Sequence, residues 1–157
     1  MEGRLERSAA RRRVMAVASA GGHWTQLLRL TPAFDACDVV FVSTLDQGPM
    51  PEGARLRVVP DANRSDWLGM LRLFLAMSLI VVRERPDVVI STGAAPGYAA
   101  LRLARLLGAR TIWLDSLANV DELSMSGRLV GGHADLWLTQ WPHLARPDGP
   151  QFVGSVL

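Results

Sequence analysis

Apolar residues fall along the chain in two alternating patterns: short unbroken runs, and longer stretches at helical spacing. Val14–Ser19 is a run of the first kind, closed by Gly21-Gly22, and predicts a buried strand. Trp24, Leu27, Leu28 and Leu30 follow at helical spacing and stop before Pro32. Asp38–Ser43 and Leu56–Val59 predict two more strands, the second ended by Pro60. Asp66 stands where a cap belongs for a long helix from Trp67 to about Arg85, which Pro86 follows. Val88–Ser91 predicts a fourth strand, and residues 97–107 a helix stopped by Gly108. Thr111–Leu114 predicts a fifth strand, Ser126–Val130 a short helix, Ala134–Thr139 another strand, and Gln151–Val153 a last one.

Unbroken apolar strands alternating with helices describe an α/β chain with a parallel sheet covered on both faces. A single doubly wound, Rossmann-like domain over residues 14–157 is expected, preceded by a basic, disordered lead over residues 1–13. The chain has 157 residues, 49% of them hydrophobic and 20% charged, so it is too apolar for a disordered protein. A lone Cys37 excludes an internal disulfide framework. All 17 basic residues are arginine. Residues 1–13 hold five arginines and two glutamates, against twelve arginines and thirteen acids in the rest. The folded body is therefore near neutral, and nucleic acid is not an expected partner.

Ligands of such sheets bind beyond the carboxyl ends of the strands, which directs attention to the loops at 20–23, 92–97 and 115–122. Gly21 and Gly22 let backbone approach a ligand at a helix N-terminus, a place suited to phosphate; a tight strand-to-helix turn needs glycine in any case. A dinucleotide site is disfavoured, because the glycine motif is incomplete and the second strand ends in Ser43-Thr44 without an acid. His23 opens the first helix, where a neutral imidazole suits a general base, or else merely caps the helix. Ser91, Thr92 and Gly93 form a second small-residue turn, and two such turns would grip a diphosphate between them. Asp115 and Ser116 add a carboxylate and a hydroxyl at the same edge, with a loop-capping role the alternative for Asp115. No metal site is expected, since His23, His133 and His143 are far apart in sequence. No cofactor is expected either.

The helix after Trp67 is apolar almost all round. Its uncharged stretch, residues 73–82, is half the roughly 20 residues needed to span a bilayer. Such a helix is covered by a partner or lies in a membrane interface, with Arg72, Leu73 and Phe74 as the expected membrane contacts.

Together these residues resemble the acceptor-side, N-terminal half of a GT-B glycosyltransferase. The first turn with His23 resembles the glycine loop of the MurG family. Arg85-Pro86-Asp87 followed by Val88-Val89-Ile90-Ser91-Thr92-Gly93 resembles its second loop. The carboxyl-terminal part is more specific: Asp115-Ser116, Leu123-Ser124-Met125-Ser126-Gly127-Arg128-Leu129, Ala134-Asp135, Thr139-Gln140-Trp141-Pro142-His143-Leu144 and Gly154. It resembles the family of the membrane-anchoring subunit of the two-part UDP-GlcNAc transferase of N-glycan assembly, with bacterial PssD-type relatives. Many relatives carry glutamate at the position of Asp115, and many begin with a hydrophobic anchor where this chain has arginines.

The resemblance implies a subunit that is inactive alone. It would bring a donor-binding glycosyltransferase subunit to a membrane surface, peripherally on the cytoplasmic face of the inner membrane, and present a lipid-linked saccharide acceptor. One-piece enzymes of this class continue past Gly154 into a donor-binding domain, so the chain is expected to be half an enzyme. His23 and Asp115 would be its catalytic residues, and Gly21, Gly22, Ser91, Thr92, Gly93 and Ser116 its acceptor site. Trp137, Trp141 and Leu144 would meet the partner, although core burial explains Trp137 equally well. The alternatives are a non-catalytic membrane recruiter and a nucleotide-binding enzyme unrelated to sugars.

Overall fold

In the computed structural model, which describes residues 11–44 and 48–156, the unbroken apolar runs all lie in one parallel sheet. In chain order the strands are β1 (Arg13–Ala18), β2 (Asp38–Ser43), β3 (Arg55–Val58), β4 (Val88–Gly93), β5 (Arg110–Leu114), β6 (Leu136–Thr139) and β7 (Gln151–Phe152). Their order across the sheet is β3-β2-β1-β4-β5-β6-β7. Chain direction across the sheet reverses between β1 and β4, the switch point at which doubly wound sheets open a crevice. The central pair is buried on both faces, which is why it reads as an unbroken apolar run.

The helices are α1 (Gly22–Arg29), α2 (Trp67–Glu84), α3 (Ala94–Leu106) and α4 (Met125–Gly131). On one face Met15, Val17, Val89 and Trp113 pack with Leu73, Met77 and Val81 of α2, with Ala100 and Ala104 of α3, and with Val130 of α4. On the other, Val14, Ala16, Phe41 and Ile90 pack with Trp24 and Leu27 of α1 and with Phe34.

Two aspartates pin strand starts at the amino edge. Asp87, just before β4, accepts the Arg13 backbone N–H of β1 at 2.8 Å and pairs with its guanidinium. Asp135, just before β6, accepts the Thr111 N–H of β5 at 2.8 Å and its hydroxyl at 3.2 Å. The Pro-Asp and Ala-Asp steps of the sequence thus acquire a physical reason. The Thr111 amide, then its hydroxyl, hold the Asp135 pKa below 3.8, with Arg105 and Arg110 adding to this. A carboxyl with a lowered folded pKa supports the fold above its unfolded value and loses that contribution as pH falls through the folded one.

The structure corrects several expectations. β1 starts at Arg13, one residue before the expected boundary, while residues 1–10 of the expected lead lie outside the described residues. α3 begins three residues earlier than expected, so residues 94–96 are its first turn. Leu73, expected at the membrane, is fully buried beneath α2, because the helix turns it toward the sheet with Met77 and Val81. Phe74 is half-buried in an edge-to-face contact with Tyr98 of α3. Of that expected group only Arg72 is exposed. Leu144 is also buried, at the 3₁₀ turn Pro142–Leu144, and is no surface anchor.

α3 sits so close to β4 that Gly97 is in direct contact with Ser91. A methyl there would collide with Ser91 Oγ and stand 2.8 Å from its Cβ. Gly97→Ala is therefore expected to destabilise the fold by about 1–3 kcal/mol, read as a lower urea midpoint at unchanged slope.

Candidate functional site

At the carboxyl edge, β1 and β4 feed directly into the two helices that flank the switch point. The β1–β4 pairing slips there, Val17 standing opposite Ser91 and Ala18 opposite Gly93. Such irregularities re-aim the chain and recur beside functional sites. Gly93 has φ +146°, and Ala94 follows with φ +66°, an uncommon left-handed conformation for a residue with a side chain.

His23 sits on this irregular turn. Its Nδ1 lies 3.0 Å from the Thr92 carbonyl, and the Thr92 hydroxyl donates back to the His23 carbonyl at 2.7 Å. A carbonyl only accepts, so Nδ1 carries the proton and the neutral ring keeps its lone pair on Nε2. The ring packs on the bare backbone of Gly93, where a Cβ would overlap it. The half-buried His23 is thus clamped by reciprocal bonds to β4.

The helix ends divide into two kinds. Asp66 caps α2 through the Gly69 N–H, and Ser124 caps α4 through the Gly127 N–H. α1 and α3 start on Gly21 and Gly93, with no side-chain cap on either. These two uncapped N-termini follow β1 and β4, the two strands at the switch point. Their first-turn N–H groups and the positive ends of their dipoles suit an anion. Gly21 and Gly22 are exposed, with nothing within 4 Å of the place a Cβ would take. Gly21 requires glycine for its φ of +79°. Gly22 has no such requirement, and what it provides is open access to backbone.

The remaining expected site residues are turned inward. Asp115 is 1% exposed, and its carboxylate accepts from Trp113 Nε1 at 3.2 Å, the Ser124 N–H at 2.8 Å and the Ser124 hydroxyl. These are the contacts of a loop cap holding the start of α4, and both carboxylate oxygens are engaged. Ser91 and Thr92 are buried, their hydroxyls engaged by the Gly93 N–H and the His23 carbonyl. Ser116 is buried against Gln26 at 3.1 Å and accepts the Ala118 N–H. Of the residues expected to meet an acceptor, only Gly21 and Gly22, beside His23, are exposed. Trp137 is half-buried against Gly131 of α4, and its Nε1 is buried without a hydrogen-bond partner among the described residues. Trp141 is half-buried, its Nε1 donating to the Leu117 carbonyl at 2.8 Å. Among the described residues no cluster of three or more His, Cys, Asp or Glu side chains could hold a metal.

Sequence reasoning missed Gln26. It lies on the buried side of α1 between Trp24 and Leu27, and a polar side chain among apolar neighbours was the available signal. Its oxygen accepts the Leu117 N–H at 2.9 Å and Gln140 Nε2 at 2.7 Å.

A family model described as oligosaccharide biosynthesis protein Alg14 like matches residues 51–156. The UDP-N-acetylglucosamine transferase subunit ALG14 of Eremothecium gossypii is 26% identical over 86% of this chain and 75% of its own length. The mouse protein of the same name is 24% identical over 84% of this chain and 76% of its own. A Yarrowia lipolytica counterpart is 39% identical over 72 residues, 42% of this chain and 33% of that protein. Among solved structures, Acinetobacter baumannii MurG superposes with TM-score 0.72 at 13% identity, over 93% of this chain and 46% of its own. A UDP-N-acetylglucosamine 2-epimerase from Rickettsia bellii gives 0.68 at 13% identity, over 93% and 45%. The chain thus has the fold of one half of these proteins.

The two glycines of this edge should respond in opposite ways. Gly93→Ala, which forces a methyl into the His23 ring at a φ suited to glycine, is expected to cost about 1–3 kcal/mol of stability. Gly22→Ala fills open space in a first helical turn and is expected to leave stability unchanged or raise it by up to about 1 kcal/mol. Paired thermal and urea melts check both.

Proposed function

The chain belongs to the Alg14-like family of oligosaccharide biosynthesis proteins, and on that premise we propose that it is the acceptor-side subunit of a two-subunit glycosyltransferase. A separate donor-binding subunit holds a UDP-sugar, and this chain presents a lipid-linked saccharide and draws the pair to the membrane. The PssD-type resemblance adds a bacterial polysaccharide precursor as the product, made at the cytoplasmic face of the inner membrane.

The observation that carries the reading is the pair of uncapped helix N-termini at the switch point, with His23 clamped between them. In the proposed complex the acceptor's diphosphate rests on the first-turn N–H groups of α1 and α3, approached closely at Gly22. An acceptor hydroxyl attacks the anomeric carbon of the UDP-sugar, forming the glycosidic bond as the bond to UDP breaks. Its proton passes to His23 Nε2, while the Thr92 carbonyl holds Nδ1–H and orients the ring.

The assay is sugar transfer from a UDP-sugar to a polyprenyl-diphosphate acceptor. The chain alone is expected to give no turnover. With its donor-binding partner, His23→Ala should lower turnover on the order of 10²–10⁴-fold. Gly22→Ala should raise the acceptor KM at unchanged stability. Full turnover of the His23→Ala pair would instead favour the non-catalytic recruiter.

Membrane attachment falls to the outer face of α2. Leu68, Leu71, Leu75, Leu79 and Val82 recur at helical spacing opposite the buried Leu73, Met77 and Val81, and all five are exposed, Leu79 at 73%. Trp67 begins the stripe at 70% exposure, and Arg72 and Arg83 flank it. The helix's single acid, Glu84, is occupied by Arg55 and Arg57. An apolar face bordered by cations suits an anionic interface. No helix among the described residues is long and apolar enough to cross a membrane. Leu75→Asp with Leu79→Asp is expected to release the protein from anionic vesicles in a flotation assay, with its circular dichroism unchanged. Unchanged flotation would reject this face.

A further inference from the structure

We infer that Gln140 and Gln26 are positioning residues that hold His23 at the switch point, and that the segment after β7 sets them. The inference rests on the reading of His23 given above only where it touches turnover.

Three residues of α1, spaced three apart, tie it to successive parts of the sheet edge. His23 is bonded to Thr92 of β4. Gln26 is bonded to Ser116 and Leu117 beyond β5 and to Gln140 beyond β6. Arg29 donates to the Val156 carbonyl at 2.7 Å. The Val156 N–H in turn donates to Gln140 Oε1 at 3.0 Å, so both peptide groups of Val156 are held.

Backbone partners leave no freedom in how the two amides face. The Leu117 N–H only donates, so Gln26 must turn its oxygen there. The Asp115 carbonyl only accepts, so Gln140 must turn its nitrogen there, at 2.9 Å. The Val156 N–H again demands the oxygen of Gln140. Gln140 Nε2 then donates to Gln26 Oε1, and Gln26 Nε2 to Ser116 Oγ. One directed chain of bonds runs from Val156 through α1 to the β5 loop. Both glutamines are buried, at 8% and 2% exposure, so a bond lost here is not replaced by water.

This polarity makes the two positions unequal toward glutamate, which is nearly isosteric with glutamine. At Gln26 a carboxylate still accepts from Leu117 and Gln140, and the Ser116 hydroxyl can turn to donate. At Gln140 a carboxylate oxygen would face two acceptors, Gln26 Oε1 and the Asp115 carbonyl. A role in filling space alone would make the two substitutions alike.

The test compares Gln26→Glu and Gln140→Glu in the full chain by nitrogen NMR of the His23 ring, and in the assembled pair by turnover. Gln140→Glu is expected to shift the His23 ring nitrogens away from the Nδ1–H form bonded to Thr92. It should also lower kcat on the order of ten- to a hundredfold, with the UDP-sugar KM unchanged. Gln26→Glu should retain both. Gln140→Met, similar in length but without a donor, replaces the glutamate should that variant not fold. Unchanged His23 resonances in the Gln140 variants, or equal effects at both positions, would overturn the inference. Shifted resonances with full turnover would uphold the positioning and remove His23 from the chemistry instead.

Discussion

How α1 is held decides what the carboxyl edge can do. Eight residues are too few for a helix to persist in water, and no side chain caps this one. Its stability must come from contacts outside itself. Trp24 and Leu27 supply apolar burial, with Trp24 set edge-to-face on Phe41. Apolar burial is non-directional and does not by itself fix the helix's height or rotation. Directional bonds from His23 and Gln26 do, because each has a partner whose position the sheet determines. A helix placed this way leaves its first-turn N–H groups unspent.

The sheet performs a complementary task at the opposite edge. Asp87 and Asp135 fix how β1 meets β4 and how β5 meets β6, so the carboxyl ends arrive in a set register. A one-residue slip in a strand exchanges the residues on its two faces, which would put Ala16 where Met15 belongs. The slip beside Ala18 is confined to the last pair and turns Gly93 under His23. The regular part of the sheet and the irregularity at its carboxyl edge thus meet at the same histidine from different ends.

The unbroken runs made the strands legible, because in a parallel sheet both faces are buried and no polar alternation interrupts them. The Asp66 cap and the end of α2 were legible for the same local reasons. The start of α3 was not, since Gly93 and Pro96 read as loop residues, yet proline is tolerated in a first helical turn and Gly93 is the residue before it. The direction of each α2 side chain was hidden because the helix is apolar on both sides, and only packing separates Leu73 from Leu75. Gly21, Gly22 and His23 were legible because glycines at a strand-to-helix turn carry their own physical reason. The buried state of Asp115, Ser91, Thr92 and Ser116 was not, because a hydroxyl or carboxylate beside a crevice has the same sequence whether it faces in or out. Gln26 depends on partners 90 to 114 positions away, Gln140 among them, a separation that periodicity does not reach.

The two uncapped helices set a conflict between durability and use. A capping side chain typically adds about 0.5–2 kcal/mol to a helix, and α2 and α4 have one where α1 and α3 do not. Any residue that capped α1 would act as a permanent intramolecular competitor, occupying the very N–H groups on which the proposed acceptor's diphosphate would rest. Selection for thermal endurance alone would therefore close this edge first, and a stabilised variant of the chain would be expected to trade away occupancy before it lost its fold.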